Sequence, residues 1–96
     1  MQFCFLAQIV EGTPEDRFVP HLKAESQRAW ELHATGVFRS MHARKDVRDV
    51  VGMMEAADLA EAQKAIDSLP LVQIDVLKVE IIPLGPYVGY ERLFAK

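Results

Sequence analysis

The stretch DLAEAQKAIDSLPLVQIDVLKVEIIPL, residues 58–84, decides the fold. Its first half places Asp58 where a helix cap belongs, Glu61 three residues later, and apolar residues at 59, 62, 66 and 69. That spacing predicts a capped amphipathic helix over 58–69. Pro70 has no backbone N–H to continue the helix and ends it. The second half, 71–84, is long and β-branched, which predicts a strand. A helix that feeds a strand in this way needs other strands to join, and the upstream sequence supplies three.

VFRSMHAR (37–44) and DVVGMMEA (49–56) read as two strands joined by the polar turn KDVR, an antiparallel hairpin. QFCFLAQIV (2–10) is apolar on both alternations and reads as a strand buried on two faces. Between it and the hairpin, EGTPED offers Thr13 as an N-cap and Pro14 at a first helical position. A helix then runs to about Ala34–Thr35 and stops at Gly36. Pro20 interrupts that helix, so a separate turn over 14–19 is expected, with the main helix starting near Pro20. The order is β-α-β-β-α-β over one domain, 1–96. It predicts a ferredoxin-like α+β fold, a four-stranded antiparallel sheet with two helices on one face. The doubly apolar first strand then needs a cover for the other face, most simply a partner subunit's sheet in a two-fold dimer, the alternative being the C-terminal tail folded back over it.

The chain has 96 residues, half of them hydrophobic and a quarter charged, a globular composition of single-domain size. Its formal net charge of −3, with no basic stripe, argues against nucleic-acid and anionic-membrane partners. One cysteine, Cys4, cannot form an internal disulfide and points to a reducing, cytoplasmic compartment. MQFCFLAQIVEG lacks a basic leader region and its apolar run is broken by Gln8, unlike a signal peptide. No apolar run reaches membrane-spanning length. Neither a glycine-rich phosphate loop nor a dinucleotide fingerprint occurs, and His21, His33 and His42 lack metal-ligand spacing, so no cofactor or metal is expected.

Three segments resemble muconolactone isomerase and its relatives, dimeric α+β-barrel proteins that also include YCII-like domains. They are LKAE in the first helix, GVFR at the second strand, and SLPLVQIDVLKVEIIPLGP after the second helix, within a resemblance running from about Leu22 to Pro86. Phe38 and Arg39 match the aromatic and arginine that follow the glycine in the isomerases, while Ser40 stands in place of their histidine. The resemblance implies a ferredoxin-like subunit, a barrel-forming homodimer that in some relatives assembles further, and a small-molecule pocket between sheet and helices. Chemistry across these relatives is varied, so the fold alone does not choose a reaction.

In HLKAESQRAWEL (21–32), Leu22, Ala29 and Leu32 share one arc at about 100° per residue, and Glu25 falls inside it. A carboxylate pressed against a sheet is desolvated, which raises its pKa, while His21 and Arg28, one turn away, would lower it. Such a group suits a general base near neutral pH. Glu25 is therefore the candidate catalytic residue, assisted by His21. Arg39, expected half-buried between Phe38 and Met41, is the candidate substrate-binding residue together with Arg28, because a guanidinium fork matches a carboxylate. The bland alternatives are a Glu25 that snorkels or pairs with Arg28, and an Arg39 fixed by Glu55 or Glu25. His33 reads as a helix-end charge and Cys4 as a small buried hydrophobe.

Two functional readings stay open. One is a small cofactor-independent enzyme resembling muconolactone isomerase, moving a proton on a small lactone or carboxylated metabolite. The other is a non-catalytic dimeric module that binds a small ligand or assembles. A pocket holding both Glu25 and Arg39 would favour the first.

Overall fold

A computed structural model of the protein describes residues 1–95. Four strands, β1 (Gln2–Ile9), β2 (Phe38–Ala43), β3 (Val50–Glu55) and β4 (Leu77–Leu84), form one antiparallel sheet in the order β2-β3-β1-β4. The short α1 (Glu15–Phe18) and a 3-10 turn (Val19–His21) lead into α2 (Leu22–Ala34), as Pro20 dictates. After β3 come α3 (Leu59–Asp67) and a single helical turn, α4 (Pro70–Gln73). The fold is the expected ferredoxin-like α+β arrangement, with the helices on one face of the sheet.

The core lies between that face and the helices. Phe3, Phe5 and Ala7 of β1 are buried, as are Phe38, Met54, Leu32, Ala62, Ile66 and Leu69. Asp58 caps α3 as its spacing requires, its carboxylate accepting the Glu61 N–H at 2.9 Å. Gly36 closes α2 with φ +84°, a conformation that only glycine adopts without strain.

Gly52 on β3 sets how the sheet is filled. It pairs with Phe5 on one side and Met41 on the other. Lacking a Cβ, it lets the Phe5 ring lie across β3 and stack on Phe38 of β2, centroids 4.9 Å apart. A side chain at 52 would meet the Phe5 ring and the Ser40 carbonyl oxygen.

Two expectations are corrected. Residues 71–76 are not strand: Pro70 starts α4, and Asp75 at φ +59° turns the chain into β4 at Leu77. Proline at the first position of a helix is favourable, so the residue that ends α3 also begins the next turn. Second, β2 is not regular. Phe38 faces Met54 and Ser40 faces Met53, leaving Arg39 as an extra, bulged residue.

The sheet face away from the helices carries Cys4, Leu6, Val51, Met53 and Ile82, all partly exposed in the single chain. The first strand is thus buried on one face only within the subunit. Beyond β4 the chain runs out as a 3-10 segment (Val88–Leu93), with Tyr90, Leu93 and Phe94 exposed by 70 %, 79 % and 82 %. The molecule measures 61 × 29 × 20 Å with a radius of gyration of 15.7 Å. A compact chain of this length would have about 12–13 Å.

Gly52→Ala is expected to destabilise the protein by about 1–3 kcal/mol or more, because the clash is with a packed ring and backbone rather than a flexible side-chain end. Chemical denaturation of the two proteins measures it, and unchanged stability would show that the Phe5 ring can vacate the site.

Candidate functional site

A cavity of about 280 Å³ opens between the helices and the sheet. Phe5, Ala7, Phe38 and Val79 floor it from the sheet, while Leu22, Ala29, Ile66, Leu69 and Leu71 wall it from the helical layer. Its few polar groups are Glu25 and Ser26 of α2, and Arg48 and Asp49 from the β2–β3 turn. A mostly apolar chamber with a few convergent polar groups is the usual form of a small-molecule site.

Glu25 turns into this chamber, half-buried. Its Oε1 accepts a hydrogen bond from the Leu71 backbone N–H at 2.9 Å. The partner exists because Pro70 starts α4 there, leaving the N–H groups of that turn without helical acceptors. Burial raises the Glu25 pKa above its ordinary value, and the Leu71 hydrogen bond offsets part of that rise by favouring the charged form. Oε2 has no hydrogen-bond partner among the described residues. The carboxylate is held by one oxygen while the other is unengaged among the described residues, an arrangement that can take up and return a proton.

The other expected site residues stand elsewhere. His21 is exposed at the start of α2, and among the described residues no hydrogen bond joins it to Glu25. Arg28 does not reach Glu25: its Nε donates to Ser68 Oγ at 2.9 Å and its Nη1 to Glu31 Oε2 at 3.2 Å, tying α2 to the end of α3. Arg39, expected half-buried, is exposed. The bulge turns its side chain back over the end of α2, where Nε donates to the Gly36 carbonyl at 2.7 Å. Glu55 is engaged by the Met1 amine at 2.7 Å, which with a smaller contribution from Arg39 holds its carboxyl below the usual range. Glu25 and Arg39 are therefore not brought together within one chain.

His42 lies on the open sheet face beside Val51, and Cys4 on the same face is half-buried and free. His33 Nδ1 donates to the Phe38 carbonyl at 3.1 Å. No group of three or more His, Cys, Asp or Glu residues that could hold a metal ion occurs among the described residues. None of the described helices is long and apolar enough to cross a membrane. The cation that does line the chamber, Arg48, sits in KDVR, which sequence reads only as a turn. Its relation to Glu25, 23 positions earlier, has no local periodicity that could reveal it.

Known proteins resemble this architecture. The family profile of muconolactone delta-isomerase matches residues 1–89. Two solved structures share the fold. One is 5-chloro-2-hydroxyhydroquinone dehydrochlorinase from Burkholderia phenoliruptrix AC1100, in complex with 2,5-dihydroxybenzoquinone. It has a TM-score of 0.71 and 14 % identity over 91 % of this chain and 96 % of that one. The other is a muconolactone isomerase, with a TM-score of 0.71 and 17 % identity over 93 % of each chain. No curated protein matches the sequence.

Glu25→Ala strands the N–H of Leu71, a residue only 3 % exposed, and is expected to cost about 1–3 kcal/mol in denaturation experiments. Glu25→Gln keeps an oxygen acceptor and has a pH signature instead. A carboxyl whose pKa is raised on folding stabilises the protein fully below the ordinary carboxylate pKa and loses that contribution as pH rises through the raised value. The glutamine variant should therefore gain stability relative to the unsubstituted chain as pH rises from the ordinary carboxylate range through the raised value. The opposite slope would show that Glu25 is more comfortable charged in the fold than in water.

Proposed function

The chain belongs to the muconolactone delta-isomerase family, and we propose that it is a cofactor-independent proton-transfer enzyme acting on a small unsaturated lactone or related carboxylated metabolite. The observation that carries this reading is Glu25, a carboxylate anchored by one oxygen inside an apolar chamber with its pKa raised by burial. Such a group binds a proton more readily than an exposed carboxylate, which suits a base that must also give the proton back.

In the proposed reaction the free Glu25 Oε2 removes a proton from the carbon next to the lactone carbonyl. The electron pair passes into the conjugated system as an enolate. The same carboxyl then returns the proton at a more distant carbon of that system, so the double bond moves and nothing is consumed. Apolar walls limit exchange of that proton with water. The dehydrochlorinase of similar fold was solved with a cyclic six-carbon dione, and a flat oxygenated ring of that kind suits a chamber of about 280 Å³. Arg28 and Arg39 act in this reading on the frame, since both guanidinium groups are engaged by their own subunit's helix ends. His21 is left a role only where a ligand or second subunit brings it to Glu25.

One observation favours the second reading, a ligand-binding or assembly module without catalysis. The Glu25–Leu71 hydrogen bond is also what a purely structural cap on α4 would make. Turnover separates the two. Proton–deuterium exchange into carboxylated unsaturated γ-lactones, followed by NMR in heavy water, should be catalysed by the protein. It should fall by about a hundredfold or more in Glu25→Gln, the usual share of a general base. Exchange that survives the substitution intact sinks the role given to Glu25.

We also propose that the protein works as a homodimer. The half-exposed Cys4, Leu6, Val51, Met53 and Ile82 form an apolar sheet face that a second copy's sheet would cover, and the outstretched Tyr87–Phe94 segment gives that copy a further apolar surface. Light scattering should give the mass of two chains or a multiple of it, and Ile82→Asp should yield single chains of unaltered fold. A monomeric unsubstituted protein would remove this part of the proposal.

A further inference from the structure

The turn between β2 and β3 leaves two cations, Lys45 and Arg48, without an ion pair among the described residues, and of the two only Arg48 lines the chamber. The Arg44 N–H donates to the Asp49 carbonyl at 2.8 Å, closing the hairpin. Within the loop, both oxygens of Asp46 are used. They take the Arg44 guanidinium through Nε at 3.0 Å and Nη2 at 2.6 Å, and Oδ1 also accepts the Val47 N–H at 3.0 Å. Asp46 and Arg44 therefore satisfy each other and stiffen the tip. Arg48 makes no ion pair and no side-chain hydrogen bond among the described residues.

Arg48, itself exposed, is also the one cation among the residues that line the Glu25 chamber, and it comes from the β2–β3 turn whereas Glu25 comes from α2. The other charged lining group, Asp49, is an acid. A ligand anion inside this chamber is repelled by two carboxylates and attracted at one place. We infer that Arg48 is the residue of this chamber that binds a carboxylate of the ligand and so fixes which way round an anionic ring lies in it. The planar guanidinium takes both carboxylate oxygens through paired N–H groups. The ring then extends inward over Phe5 and Phe38, towards Glu25. A second carboxylate on the inner end of the ring would face Glu25 and weaken binding. Arg48 also lines an adjoining groove together with the exposed Glu11 and Glu15, neither of which pairs with it.

This inference rests on the reading of the Glu25 chamber as a ligand site, but not on Glu25 performing catalysis. Benzoate and benzamide, equal in ring and differing in charge, serve as probes in calorimetric or NMR titrations. The unsubstituted protein should bind benzoate about tenfold more tightly than benzamide. Arg48→Ala should erase that preference by weakening benzoate alone, and Arg48→Lys should restore part of it. The preference should persist in Glu25→Gln, which keeps the two proposals separable: lost exchange activity with intact benzoate preference leaves Arg48 in place. Equal affinity for the two probes, no binding of either, or a preference abolished by Arg39→Ala and not by Arg48→Ala overturns the inference.

Discussion

Everything in this chain is arranged around one aromatic ring crossing a strand. Phe5 on β1 reaches over Gly52 of β3 to stack on Phe38 of β2, so two strands that are not neighbours touch through the gap that a glycine leaves. The contact fixes β1, β3 and β2 in register from the helix side. It also fills the middle of the core, and both residues line the chamber. A larger residue at 52 would push the ring up into the space a ligand would use. Core packing and the proposed ligand space therefore draw on the same few cubic ångströms.

Glu25 shows how closely those two demands are joined. A half-buried acid in an apolar wall is unfavourable when charged, and the protein offsets this with the Leu71 N–H rather than with an arginine or histidine. A backbone dipole is a mild partner. A guanidinium would favour the ionised carboxylate strongly, whereas one amide offsets only part of the rise that burial causes. The hydrogen bond that secures α4 against α2 is thus also the contact that tunes the acid.

Much of this was legible in the sequence because it is written locally. Asp58 and Glu61 announce the cap of α3, Pro20 divides the first helical segment, Gly36 ends it, and alternation marks the hairpin. The inward turn of Glu25 followed from helix periodicity. What escaped were features decided by contacts far apart in the chain. Residues 71–76 look like strand because they are β-branched and apolar, yet the burial of Leu71 and Val76 and the positive φ of Asp75 make them a turn. The Arg39 bulge has no local signature, since the residues around it alternate acceptably in either register. With the bulge unseen, Arg39 is drawn into the core and Arg48 is passed over as ordinary turn polarity.

The bulge also makes one position in the hairpin optional. Phe38 pairs with Met54, Ser40 with Met53 and Met41 with Gly52, so the ladder on either side of Arg39 is already continuous without it. Removing any other residue of β2 would exchange the inner and outer faces of everything between the cut and the next turn. Removing residue 39 would join two segments that are in step. The chain can thus gain, lose or replace this side chain by single-codon events without disturbing the Phe38 ring or the chamber floor, and a position of that kind is where lineages with the same core can diverge in what they display at the end of α2.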